Sequence, residues 1–68
     1  MRIRYFPDTD TAYVELSERP VAETREMSEN ILADLGADGR LVALTLEHAS
    51  NNADVTEFSY RQMTGRPA

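Results

Sequence analysis

Apolar residues recur at every second position in short runs broken by turn formers. "RIRYF" (Arg2 to Phe6), "TAYVELS" (Thr11 to Ser17) and "ADLGADGRLVALTLEH" (Ala33 to His48) carry this pattern. Period two is the side-chain period of a strand, whereas an amphipathic helix repeats every 3.6 residues. The chain is therefore expected to be mostly β: a small antiparallel sheet of five or six strands built from hairpins. "VAETREM" (Val21 to Met27) reads as a polar edge strand, "PDTD" (Pro7 to Asp10) and "SEN" as turns, and "SNNAD" as a loop.

Alternation also predicts registers. With Phe6 opposite Thr11, Ile3 meets Val14 and Tyr5 meets Ala12 on one face. Arg4 then meets Tyr13, and Arg2 meets Glu15, on the other. A one-residue slip would mix the two sets. In the second hairpin, pairing Leu35 with Arg40 places Ala33 opposite Val42 and Ile31 opposite Leu44. Leu32 then meets Ala43, and Asp34 meets Leu41. Gly39 falls where a type I turn is followed by a left-handed residue, a conformation glycine adopts without steric cost.

The C-terminal segment reads two ways, as a strand or a short helix. "DVTE" (Asp54 to Glu57) has the form of a helix capping box. "TEFSYRQ" alternates Thr56, Phe58 and Tyr60 and favours a last strand. Residues 1–63 are expected to make one small β domain, with 64–68 a frayed tail.

At 68 residues the chain buries only about 60% of its unfolded surface, and it has no cysteine to staple the fold. Its single histidine, His48, leaves a structural zinc site without a ligand set. No run is apolar enough for a membrane span or a secretory signal, so a soluble cytoplasmic protein is expected, with no membrane partner. Twelve acidic residues against seven arginines give a net charge of −5. That disfavours direct nucleic-acid binding, which needs a basic surface. It suits a basic protein partner.

The ordered residues Tyr5, Pro7, Asp10, Ala12, Tyr13, Val14 and Leu16, followed by Asp34, Asp38, Gly39, Leu41, Val42, Glu47, Ala49 and Ser50, resemble a known family. It is the small bacterial and archaeal family catalogued as domain of unknown function 2283. The resemblance covers about residues 1 to 50. Gly36 departs from it where an acidic residue is frequent, and Ala43 where glycine is. It implies a compact β-rich fold and supplies no catalytic residues, since the family's function is not established.

"DLGADG" starts like a calcium loop. Gly36 occupies the third position and Thr45 the twelfth, where acidic ligands are required, so the stretch reads as the bend of a hairpin. No cofactor or metal is expected. His48 reads as a strand-end histidine at the rim of the core, bonded to backbone or water. Tyr13, Glu15, Asp34, Glu47 and His48 are the surface candidates for a site. Paired carboxylates can divide acid and base roles, but exposed carboxylates beside arginines more often form a solvated face.

The leading expectation is a non-enzymatic protein-interaction or oligomerisation module, working as a homodimer. One alternative is an acidic accessory or antitoxin-like partner of a basic protein. Another is a small-ligand binder or enzyme using Tyr13, Glu15, Glu47 and His48.

Overall fold

The computed structural model describes residues 1–65. Five strands form one open antiparallel sheet: β1 (Arg2–Phe6), β2 (Thr11–Glu15), β3 (Glu23–Ser28), β4 (Ile31–Leu35) and β5 (Leu41–Leu46). A single helical turn, α1 (Ala49–Asn52), follows. Among the described residues no helix is long and apolar enough to cross a membrane. The expected fraying of 64–68 falls largely on 66–68, which lie outside the described residues.

The strand order is β1-β2-β5-β4-β3. Neighbours in sequence pair within β1–β2 and within β3–β4–β5, as hairpins demand. The link from β2 to β3 instead crosses the ends of β5 and β4, giving the four-strand arrangement of a Greek key. The link is held where it crosses. Leu16 and Ser17 donate their amides to the Val42 carbonyl at 2.8 and 3.2 Å, and Ala22 donates to the Leu35 carbonyl at 2.8 Å. Arg19 adds a donation to the Leu41 carbonyl at 3.2 Å.

The first hairpin has the expected register throughout, from Arg2 opposite Glu15 to Phe6 opposite Thr11. The second differs from expectation by two residues. Ile31 faces Leu46, Leu32 faces Thr45, Ala33 faces Leu44 and Asp34 faces Ala43. A two-residue shift returns every side chain to its own face, so alternation cannot detect it. The turn decides the matter. Gly36 donates to the Arg40 carbonyl at 2.8 Å and Gly39 donates back to the Gly36 carbonyl at 3.0 Å. The hairpin therefore closes on Gly36 and Arg40, one residue further in than expected. Gly39 has φ 81°, the left-handed residue after the turn. The pairing then jumps between Asp34–Ala43 and Leu35–Leu41, leaving Val42 as the extra residue of a bulge.

The C-terminal expectation is also corrected. "SNNAD" is not wholly loop, because Ala49–Asn52 form a helical turn. Residues 54–63 form neither the last strand nor a helix. The Asp54 side chain accepts from the Thr56 amide at 3.1 Å and its hydroxyl at 2.6 Å, so the capping-box residues close a local turn instead.

The register defines two faces. Ile3, Tyr5, Ala12, Val14, Ile31, Ala33, Leu44 and Leu46 share one, as expected. Val42 was expected opposite Ala33 on this face, and the bulge assigns it to neither. Arg2, Arg4, Tyr13, Glu15, Leu32, Asp34, Ala43 and Thr45 share the other. Burial is confined to small residues and Val42: Ala12, Ala33, Ala43 and Ala49 are the other buried apolar positions, and no large side chain is fully buried.

Candidate functional site

The apolar face is the dominant surface of the molecule. β1, β2, β5 and β4 each contribute two side chains to it, because each strand alternates and the registers bring equal parities together. Over the β1–β2 half, residues 53–60 run across the face without packing down on it. Between them lies a groove of about 950 Å³, floored by Ile3, Tyr5, Val14 and Leu46 and walled by Phe58 and Tyr60. Phe58 and Tyr60 are 62% and 73% exposed. The floor is aliphatic and aromatic, with Asp54, Thr56 and Glu57 contributed only by the crossing segment, so the sheet surface itself fits an apolar partner.

The polar face gathers three of the expected candidates. Tyr13 and Glu15 lie on β2, and Asp34 on β4 is separated from them by Ala43 and Thr45 of β5. Burial pushes the Tyr13 phenol up, and the negative charges of Asp34 and Glu15 push it further. A phenol held neutral in this way is a poor base or nucleophile. Asp34 accepts from the Thr24 hydroxyl at 2.7 Å, and Glu15 sits 3.8 Å from Arg2, the expected cross-strand ion pair. Each carboxylate is already engaged by a neighbour across the sheet.

Glu47 and His48 stand apart, at the end of the sheet. The Glu47 amide donates to the Asn30 carbonyl at 2.8 Å. Glu47 lines a small second groove of about 300 Å³ with Ser28, Asn30 and Leu46. His48 is exposed and left-handed, with φ 54°. Its Nδ1 lies 3.0 Å from the Asn30 side-chain oxygen, so a side chain partners this ring nitrogen. Neither groove is lined by Tyr13, Glu15 or His48.

A polar cluster missed by sequence reasoning lies at the same end. The Tyr5 hydroxyl donates to Asp10 Oδ1 at 2.6 Å. The Ser50 hydroxyl donates to Asp10 Oδ2 at 2.7 Å, and the Ser50 amide to Oδ1 at 3.1 Å. The Ala49 amide donates to the Asp10 carbonyl at 2.9 Å. These bonds hold the Asp10 carboxyl below its ordinary range, Tyr5 contributing most and Ser50 next. They push the Tyr5 phenol up in turn. Serine, aspartate and histidine are close here, but their bonds are not those of a proton relay. Asp10 accepts the Ser50 hydroxyl's hydrogen bond directly, and the His48 ring is bonded to Asn30 instead of Ser50. The cluster ties the β1–β2 turn to α1.

The residues of this tie are among those that mark the family. A family model described as Protein of unknown function (DUF2283) matches residues 2–50. The chain belongs to this family. The matched stretch covers the whole sheet and ends on Ser50, whose side chain completes the Asp10 cluster. Residues 51–65, including the segment over the apolar face, lie outside it. No curated protein and no solved structure matches the chain. Among the described residues no group of three or more acidic or histidine side chains is placed to hold a metal ion.

Proposed function

We propose that the protein is a non-enzymatic interaction module that works as a homodimer, joined through its apolar sheet face. One observation carries this reading. Ile3, Val14, Ile31, Leu44 and Leu46 share a face, yet no large side chain is fully buried in a single copy. Exposed apolar surface on that scale marks an interaction site. A second copy supplies a matching surface, with two sheets about 10 Å apart around a twofold axis. The other readings, an acidic partner of a basic protein and a ligand binder or enzyme, rest on charge and residue type alone. Light scattering coupled to gel filtration tests the proposal. The expected mass at micromolar concentration is that of two chains. A folded species with the mass of one chain overturns it.

A further inference from the structure

We propose that residues 54–63 act as a displaceable flap: they cover the β1–β2 half of the apolar face in the free chain and are pushed aside by the second copy. The inference rests on the homodimer reading above. Three observations carry it.

The first is how weakly this segment is held. Among the described residues, no hydrogen bond joins residues 54–65 to the rest of the chain; the last such anchor is the Ala53 amide donating to the Ala49 carbonyl at 2.8 Å. The bonds within the segment join Asp54 to Thr56 and move with it. Its apolar side chains are mostly in water, with Phe58, Tyr60 and Met63 at 62%, 73% and 70% exposure. Lifting it breaks no anchor and uncovers little.

The second is that the flap fills its site badly. The groove beneath it is about 950 Å³. Floor atoms facing such a space lack the dispersion contacts that a packed layer supplies. A sheet laid on the face at ordinary spacing would make those contacts.

The third is area. The four strands that carry the apolar face, about 4.8 Å apart and five or six residues long, make it about 20 Å on a side. A stable interface removes about 800 Å² from each partner. So small a sheet cannot reach that figure with half of its face. The strip of Ile3, Tyr5, Val14 and Leu46 under the flap must join the contact, and flap and partner therefore compete for it.

Competition has a measurable consequence. Each copy must open before it pairs, so the open fraction of both copies enters the apparent affinity. A flap closed in half of the free chains weakens the dimer about fourfold. Phe58→Ser with Tyr60→Ser in the full chain removes the flap's apolar hold. For a flap closed in half of the free chains, the dimer dissociation constant from sedimentation is then expected to fall by up to about fourfold. Tyr60→Ser alone, at a ring already largely in water, gives a smaller gain in the same direction and serves if the double variant does not fold. The wild type gives an independent test, because Arg61 in the flap is exposed and is a trypsin site. Cleavage after Arg61, per chain, is expected to speed up as concentration rises through dimer formation.

The outcomes separate the two readings. A wild-type dimer whose affinity is unchanged or lowered by the serine variants, and whose Arg61 becomes protected on dimerisation, overturns the flap and leaves the dimer standing. Wild type and variants that all remain folded monomers overturn both.

Discussion

Asp10 is the residue that joins β1 and its turn to the helical turn after β5. It is left-handed, with φ 53°, a conformation aspartate tolerates better than most side chains. From there its carboxylate reaches both Tyr5 and Ser50. Its folded-state pKa is depressed, so its contribution to stability is complete above the unfolded value of about 3.9 and disappears as pH falls through the folded value. Tyr5 is the opposite case. Its pKa is raised, so its contribution is present below about pH 10 and is lost as pH rises through the raised value. Melting temperature is therefore expected to drop on acidification below about pH 4 more steeply in the wild type than in Asp10→Asn, which keeps the left-handed geometry and removes the charge. Equal slopes in a pH series of melts would refute this. At Gly39 the constraint is backbone alone, because a Cβ added there meets nothing within 4 Å. Gly39→Val is expected to cost about 1–3 kcal/mol, and Gly39→Asn much less, measured by urea denaturation. Asp38 is occupied locally: its Oδ1 accepts from the Arg40 amide at 3.0 Å, and its Oδ2 lies 3.6 Å from Arg40. Millimolar calcium is accordingly expected to leave the melting temperature unchanged, and an upward shift would restore the metal-loop reading.

Among the elements, legibility followed how many constraints each stretch carried. β1 and β2 alternate on both faces and pair charge with charge at Arg2 and Glu15, so one register satisfied every position. β4 and β5 alternate only in part, with Leu41, Val42 and Ala43 in a row. Two registers there place the same residues on the same face, and the bulge at Val42 that separates them has no mark in the alternation. A double-mutant cycle distinguishes the registers. Ile31→Ala and Leu46→Ala are expected to couple by about 0.2–1 kcal/mol as a direct cross-strand pair, and more strongly than Ile31→Ala with Leu44→Ala. The C-terminal segment failed for another reason. "TEFSYRQ" has the composition of a strand, but composition does not supply an edge to pair with, and the Asp54–Thr56 turn precedes a segment that crosses the sheet face. The Asp10 cluster was missed because two of its members are forty residues apart. Its signal was present all the same: Tyr5, Asp10 and Ser50 were all among the residues carrying the family resemblance.

At the scale of the whole molecule, the apolar face and the polar face make opposite demands on the same strand. Leu44 of β5 lies on the apolar face, between Val14 of β2 and Ala33 of β4. Thr45, the next residue, lies on the polar face between Tyr13 and Leu32. Closing the dimer over the apolar face would bury what a single copy leaves exposed of each large aliphatic, a part of the about 1.5–3 kcal/mol that complete burial contributes. In a small domain whose net stability is only about 5–15 kcal/mol, pairing then supplies a large share of the stability. A carboxylate at position 44 would have to be buried without a partner, which costs more than the leucine contributed. Leu44→Asp is therefore expected to give an unfolded or aggregated chain, not a soluble folded monomer. Thr45→Lys, one residue away on the half-buried polar face, where a long side chain can carry its charge out to water, is expected to remain a folded dimer. Circular dichroism and light scattering on the two variants check this together. A Leu44→Asp chain that keeps its strand signal at the mass of one copy would show that the sheet accepts a carboxylate at position 44, and the burial argued for Leu44 would be refuted.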